Sequence, residues 1–228
     1  MKHKRLLLAL AVSAALFALP EIAAAAEWDI DSESGALPKI TLGGGAAELT
    51  ASGFGAFLPI KCTSSGGFGS GYTSQTTAEL HLEFTGCRQG SNECHTVGQF
   101  SETILTTNLV SHNVMIHNTF QVAGGTPGLL LTPNAEHFAS FTCSGSNYVI
   151  KGNGIIADIS SPKCGGAFSK SATVQFQAIG SGVVRYPQVE TSGTSYGLST
   201  TTPLGTFSTA LAVTMTWTFN QGTKMTCP

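Results

Sequence analysis

Two glutamates and a histidine alternate along one short segment of the chain, at Glu79, His81 and Glu83. Residues at positions i, i+2 and i+4 lie on one face of a β-strand, and a face of carboxylate and imidazole groups can bind a divalent metal ion. The residues between them are apolar, so the alternation is also that of an ordinary strand with one solvated face. We favour the solvated face and predict no metal site here.

A second group of acids alternates at Asp29, Asp31 and Glu33. The spacing is similar to the first half of an EF-hand calcium loop. That loop requires glycine at its sixth position and glutamate at its twelfth, where this chain has Ser34 and Ile40. We therefore predict an extended edge segment with an acidic outer face, because charges on an edge strand oppose aggregation through that edge.

Other candidate metal ligands are poorly spaced. His112 and His117 are five residues apart, which places them on opposite faces of a continuous strand. Cys87 and Cys94, with the adjacent His95, have neither the paired CxxC knuckles nor the second ligand pair of a zinc site. We expect no metal and no cofactor.

Two nucleophile motifs match by letters alone. Gly193–Gly197 fits the G-x-S-x-G elbow of α/β-hydrolases, but its flanks are rich in Thr, Ser and Gly, and no acid or histidine follows Ser195. Ser160–Lys163 fits S-x-x-K, but neither S-D-N nor K-T-G follows. We interpret both as chance matches in loops and name no catalytic residue, so the chain is more consistent with a binding protein than with an enzyme.

An unmarked acid pair remains the enzymatic alternative, since the paired carboxylates of a glycosidase have no local sequence signature. A secreted hydrolase would require several ionisable residues to converge in one cleft. The candidates are Glu79, His81, Glu83, Glu102 and Asp158.

Three threonines alternate near the C-terminus, at Thr214, Thr216 and Thr218. A regular row of hydroxyls on a strand can order water or hydrogen-bond a repetitive ligand such as a polysaccharide. Threonine is also a favoured strand residue that pairs well across strands, and we take this structural role as the default interpretation.

Six cysteines form an even set, which in an exported chain indicates disulfides. They are Cys62, Cys87, Cys94, Cys143, Cys164 and Cys227. Six cysteines allow 15 pairings, and the sequence does not select one. The polar stretch between Cys87 and Cys94 favours a local loop, and the strand phases of Cys62 and Cys143 favour a core pair. Cys164 and Cys227 would then tie down the C-terminus.

The N-terminus indicates where these elements act. A basic start is followed by the apolar run Leu6–Leu19 and by the small residues Ala23–Ala26, which is the three-part pattern of a secretory signal peptide. We predict a signal peptide at residues 1–26 and one secreted domain at residues 27–228. Removal of the peptide leaves eight basic and twelve acidic residues, a net charge of −4. This charge offers no electrostatic footprint for nucleic acid or for anionic lipid.

The predicted mature chain consists of short alternating segments separated by glycine-rich turns. Ala78–Phe84, Thr173–Ile179 and Phe207–Phe219 show the two-residue period of half-buried strands. Tyr148–Ile156 is predicted to form a hairpin with a three-residue loop at Gly152–Gly154. The pattern predicts an all-β, disulfide-stapled, antiparallel β-sandwich, with a closed or partly open β-barrel as the alternative.

A series of short motifs carries a family resemblance. The segments are Cys62–Ser65, Leu82–Cys87, Cys94–Gln99, Ile104–Leu109, Phe138–Cys143, Gly152–Ile156 and Ser161–Cys164. The series resembles a family of secreted, cysteine-containing hypothetical proteins of high-GC Gram-positive bacteria that have no assigned activity. The resemblance implies secretion and a β fold and supplies no site residues.

Together these patterns predict a secreted, non-enzymatic β protein that binds or structures a cell-surface or extracellular polymer. Its expected partner is a cell-wall or extracellular polymer or a second copy of itself, with no nucleic acid and no membrane once the signal peptide is cleaved. The alternatives are the secreted hydrolase and a self-associating envelope protein. Ligand identity, oligomeric state and retention at the cell surface stay open at this point.

Overall fold

The computed structural model describes residues 27–52, 59–116, 126–189 and 194–228. The predicted signal peptide at residues 1–26 and His117 lie outside these ranges, so the predictions made for them stay predictions. Within the ranges the chain forms β-strands and no helix, and therefore no helix that could cross a membrane.

Eighteen strands are present in the described part of the chain. They are β1 (Asp29–Ser32), β2 (Ile40–Ala51), β3 (Ile60–Cys62), β4 (Ser64–Tyr72), β5 (Thr77–Thr85), β6 (Arg88–Gln89), β7 (Asn92–His95), β8 (Ile104–Leu105), β9 (Leu109–Ile116), β10 (Thr126–Pro133), β11 (Ala139–Cys143), β12 (Ser146–Gly152), β13 (Ile155–Ser161), β14 (Ser169–Phe176), β15 (Ala178–Gly180), β16 (Val183–Val184), β17 (Leu198–Thr202) and β18 (Gly205–Thr226).

Sixteen of these strands form one antiparallel sheet, and β15 and β16 form a separate pair. Hydrogen-bonded neighbours follow the order β1-β18-β14-β13-β10-β9-β5-β4-β2-β3-β6-β7-β11-β12-β17, with β8 on β5. The 22-residue strand β18 also pairs with β2 and β17, so the sheet folds back on its longest strand. The predicted all-β antiparallel class is confirmed. The arrangement is sandwich-like and is not a clear barrel.

On β5 and β18, side-chain alternation separates a buried side from a solvated side, whereas on β9 and β10 a second small core that includes Val114, Leu130 and Tyr186 covers the other side. On β5 the apolar residues Leu80, Leu82 and Phe84 are buried, and on β18 Met215 and Trp217 are at most 2% exposed. The residues between them face outward. The two-residue period read from the sequence is therefore the period that fills the core.

The predicted hairpin at Tyr148–Ile156 is wrong. β12 pairs with β11 and β17, and β13 pairs with β10 and β14, so the two successive strands do not pair with each other. Gly152 lies opposite Leu198 of β17, and Gly152 and Gly154 have φ values of 153° and 154°. These conformations favour glycine and lead the chain from one part of the sheet to another.

Three disulfides are present, and two of their pairings differ from those that the sequence favoured. Cys94 bonds Cys143 and Cys62 bonds Cys87, in place of the local Cys87–Cys94 loop and the Cys62–Cys143 pair. The reason is strand register. Cys94 lies directly opposite Cys143 in the β7–β11 ladder, and the β3–β6 ladder pairs Lys61 with Arg88, the positions next to Cys62 and Cys87.

The third pairing was predicted correctly. Cys164 bonds Cys227 and closes a 63-residue separation, which ties the end of the chain to the loop after β13. No free cysteine is found among the described residues. A loop of this length is one whose closure restricts the unfolded chain strongly.

A buried amide joins the N-terminal segment to the rest of the sheet. Asn113 on β9 is fully buried, and its Nδ2 donates to the carbonyl oxygens of Trp28 and Gln75 at 3.1 Å each. The Tyr72 hydroxyl donates to Asn113 Oδ1 at 3.1 Å, and Trp28 Nε1 donates to the carbonyl of Gly128 at 2.9 Å. Burial raises the pKa of Tyr72, so this hydroxyl stays protonated and able to donate.

Replacement of this amide is expected to destabilise the fold strongly. Asn113→Ala leaves the buried carbonyl of Trp28 and the buried hydroxyl of Tyr72 without this partner, and we expect the free energy of unfolding to fall by about 2–4 kcal/mol. Urea denaturation followed by tryptophan fluorescence measures it. Asn147→Ala, at an exposed position of β12, is the control and should change it by less than about 0.5 kcal/mol. An equal loss of unfolding free energy in Asn113→Ala and Asn147→Ala would contradict the structural role of the Asn113 amide.

Candidate functional site

The solvated side of the sheet around β18 carries threonines, glycines, a serine and a phenylalanine from four adjacent strands. We call this surface the threonine face. It consists of Thr41, Gly43 and Gly45 of β2, Gly66 and Phe68 of β4, Ser171 and Thr173 of β14, and Thr214, Thr216 and Thr218 of β18.

Strand register brings these residues into two rows that cross the sheet. The first row is Thr173, Thr216, Gly43, Gly66 and Glu83. The second row is Ser171, Thr218, Thr41, Phe68 and His81. Directly opposed residues share a face and neighbouring strands lie about 4.8 Å apart, so each row is a continuous line of side chains on the same surface.

The three threonines predicted from the sequence all face solvent. Thr214, Thr216 and Thr218 are exposed, whereas the intervening Met215 and Trp217 belong to the core. The hydroxyls are therefore free of packing and recur about every 6.7 Å along the strand. A threonine hydroxyl both donates and accepts hydrogen bonds, so the row can bind a ligand with repeating polar groups.

An aromatic pair borders the face on β4 and β5. The Phe68 ring is 57% exposed, and its centroid lies 5.4 Å from the ring of His81 at an interplanar angle of 36°. His81 thus contacts the phenylalanine ring from the neighbouring strand. An exposed aromatic ring is a suitable platform for stacking.

A buried carboxylate lies at the opposite border of the face. Asp158 on β13 is paired in register with Gln175 of β14, which is in turn opposite Thr214. Burial raises the pKa of Asp158, and a hydrogen bond from Gln177 Nε2 to Asp158 Oδ1 at 2.9 Å opposes that effect. The Arg185 guanidinium donates to Gln177 Oε1 at 2.7 Å, so the charged group reaches Asp158 through an amide.

The residues proposed for an acid-pair hydrolase are not brought together. Glu79, His81 and Glu83 share one face of β5, but the two glutamates are four residues apart, about 13 Å along a strand. Asp158 lies three strands away from β5, or about 14 Å. Glu102 forms an ion pair with Arg88. Glycosidase carboxylates are roughly 5 to 9.5 Å apart.

The metal candidates and the nucleophile motif lie apart as well. Within the described ranges no group of three or more His, Cys, Asp or Glu residues could hold a metal ion.

The acidic residues of β1 are used within the fold. Asp31 on β1 accepts a hydrogen bond from Thr226 and forms an ion pair with Lys224 at 3.8 Å. Among the described strands β1 forms a ladder with β18 and lies at the end of the sheet, as the predicted acidic edge segment requires. Ser195 lies in a loop, where Gln188 Nε2 donates to its hydroxyl at 3.3 Å.

His112 lies on the same side of the sheet, on β9. Its Nε2 is 3.5 Å from the Thr132 hydroxyl. Burial lowers the pKa of His112, and the nearby charge of Glu27 opposes that effect. The histidine is therefore a structural neighbour of the N-terminal segment and is not part of the threonine face.

An interior cavity of about 60 Å³ lies in the core of the described residues. Its lining is apolar, and includes Ile60, Leu82, Phe141 and Leu211. The hydroxyl of the lining residue Thr106 is used by the backbone N–H of Leu82, at 2.9 Å. The cavity offers no group for polar chemistry, so the threonine face is the better candidate site.

Several members of the face were missed from the sequence. Thr41, Gly43 and Gly45 share one strand phase, and that alternation of small residues was the available signal. Phe68 lies in the glycine-rich strand β4, whose composition is that of a loop. Glycines are depleted in strands, which concealed it.

Comparison with known proteins gives no match: no family model, no curated protein and no solved structure matches this chain.

The environment of Asp158 generates a pH-dependent prediction. Because its folded pKa lies above the ordinary carboxyl value of 3.8, the ionised form at neutral pH destabilises the folded state. Asp158→Asn is uncharged and can still accept from Gln177, so we expect it to raise the urea midpoint at pH 7. The gain should disappear below pH 3.8, where both side chains are neutral.

Asp29→Asn, at an exposed position of β1, is the matched control and should leave the urea midpoint nearly unchanged at both pH values. If Asp158→Asn were less stable than the parent protein at pH 7, the hydrogen bond of Gln177 and the charge of Arg185 would outweigh burial.

Proposed function

We propose that this chain is a secreted, non-enzymatic protein that binds a cell-surface or extracellular polymer through the threonine face. The observation that carries the proposal is the register of β14, β18, β2 and β4, which lines up exposed hydroxyls and glycines in two rows across one surface. A repeating surface suits a repeating ligand, because each unit of the polymer meets the same groups. The separation of the acidic residues supports binding without catalysis.

The disulfides support the secreted location. Three bonds use all six cysteines, and such a set persists in oxidising compartments. We include in the proposal the signal peptide at residues 1–26 and the likeness to secreted proteins of high-GC Gram-positive bacteria. Both agree with a polymer of the cell envelope or of the surrounding medium as the ligand.

Secretion is tested by expression of the full chain in a Gram-positive host. We expect protein in the culture medium whose N-terminus is Glu27, within a residue or two, and whose intact mass shows three disulfides. Alkylation without reductant should add no label, and two or more labelled cysteines would contradict the oxidised state. Retention of the whole chain in the cytoplasm would contradict secretion.

Polymer binding is tested by co-sedimentation of residues 27–228 with insoluble peptidoglycan, chitin and cellulose. The triple variant Thr214→Val, Thr216→Val and Thr218→Val removes three hydroxyls and keeps the branched shape that suits a strand. We expect saturable pelleting of the parent protein and about tenfold weaker binding by the triple variant. EDTA should have no effect, since no metal group is found in the described residues.

The control carries Thr201→Val and Thr206→Val. These residues are exposed on β17 and β18, and Thr206 lies eight residues from Thr214, about 27 Å along the strand. The control variant should pellet like the parent. The proposal would be contradicted if the parent protein bound none of the three polymers. Equal binding by the parent protein and the triple variant would also contradict it.

A further inference from the structure

Gly43 and Gly66 of the threonine face have no structural reason to be glycine, whereas Gly45 lies at the β-bulge where Gly45 and Ala46 of β2 oppose Thr214 of β18. A Cβ atom built at Gly43 or Gly45 meets nothing within 4 Å, and one built at Gly66 meets only the carbonyl oxygen of Leu42, at an ordinary 3.4 Å. None of the three has a positive φ. Their backbone and their surroundings would therefore accept a side chain.

Neighbouring glycines behave differently. A Cβ at Gly67 would collide with the carbonyl of His81, and a Cβ at Gly69 would collide with that of Glu79. Close contact with the carbonyl groups of β5 therefore requires glycine at positions 67 and 69. A glycine in the middle of a strand weakens it and often marks a bulge, a tight bend or a place where a ligand or another backbone approaches closely. Gly43 and Gly66 pair with each other outside the bulge of β2, which leaves the close approach of another molecule as their role.

Gly43, Gly45 and Gly66 form the floor of a furrow. Gly43 and Gly66 are directly opposed between Thr216 and Glu83 in the first row, and Gly45 extends the floor along β2. Thr216 and Glu83 are three strand spacings apart, about 14 Å. Over that width no side chain rises from the sheet, while Phe68 stands beside the floor in the second row.

The charges around the furrow limit what it can bind. Glu83 ends the first row and Asp158 borders the face beyond Gln175. Neither row contains a lysine or an arginine. Within the two rows an anionic polymer would meet the carboxylate of Glu83 and no positive charge, whereas an uncharged polymer would meet hydroxyls that both donate and accept. The ring of Phe68 offers an apolar surface on which the C–H face of a sugar ring can stack.

We infer that the furrow over Gly43, Gly45 and Gly66 is the contact surface for a neutral polysaccharide chain, with Phe68 as the stacking platform at its side. This inference rests on the proposed polymer binding and adds the ligand class and the residues that determine it. The glycines admit the chain to the backbone, and the threonine hydroxyls bind its polar groups.

Filling the furrow tests the inference. Gly43→Val and Gly66→Val place side chains in open space, so each variant should fold with an unchanged or higher Tm, because valine suits a strand better than glycine. Each should nevertheless bind hydroxyethylcellulose and glycol chitin about tenfold more weakly in affinity electrophoresis. Gly197→Val also adds a side chain in open space, but away from the face, and should bind like the parent.

The platform and the ligand class have their own controls. Phe68→Ala should weaken binding roughly tenfold, whereas Phe100→Ala removes a ring that is 87% exposed in the loop after β7 and should have no effect. Carboxymethylcellulose has the backbone of hydroxyethylcellulose with added negative charge, and should bind much more weakly.

The outcomes separate this inference from the function on which it rests. Undiminished binding by Gly43→Val and Gly66→Val, with loss in the triple threonine variant, would overturn the furrow and leave polymer binding in place. Equal binding of the carboxymethyl polymer would overturn the neutral ligand class. Pelleting with peptidoglycan alone would also overturn that class, and binding to none of these polymers would overturn both proposals.

Discussion

The alternation of side chains along β18 is the constraint on which the rest of the structure depends. This strand is hydrogen-bonded to β1, β14, β2 and β17 and spans 22 residues, so it holds together parts of the sheet that are distant in sequence. Its inward residues Met215 and Trp217 fill the core, and its outward threonines form the face. A shift of one residue in its register would exchange the two sets, so packing of the core fixes the position of every hydroxyl on the surface.

Covalent and polar anchors reinforce this arrangement at different places. Two disulfides join short strands that have few hydrogen bonds of their own, namely β3 with the start of β6 and β7 with β11. The third fixes the end of the chain, just after β18. On β9, Asn113 binds backbone carbonyls of the N-terminal segment and of the loop before β5. The segments least able to support themselves are thus the ones that carry the specific bonds.

The sequence predicted what depends on local alternation and failed where distant strands meet. β5 and β18 were predicted because their apolar residues recur at every second position. The pairings Cys62–Cys87 and Cys94–Cys143 were not predicted, since they follow from strand register and not from spacing along the chain. The hairpin at residues 148–156 failed for the same reason. Thr216 was a visible candidate, but its alignment with Gly43 and Thr173 joins segments separated by about 170 and 40 residues, and no local pattern encodes it.

Outward and inward positions of the face strands differ in how freely their residues can change. Outward positions of β2, β4 and β18, such as Gly43, Gly66 and Thr216, have room for other side chains, whereas the inward positions are restricted by close packing. Substitutions at the outward positions alter the surface without disturbing the fold. Descendants of a duplicated gene can therefore acquire new surfaces one exposed residue at a time, with the same core and the same three disulfides inherited by all of them.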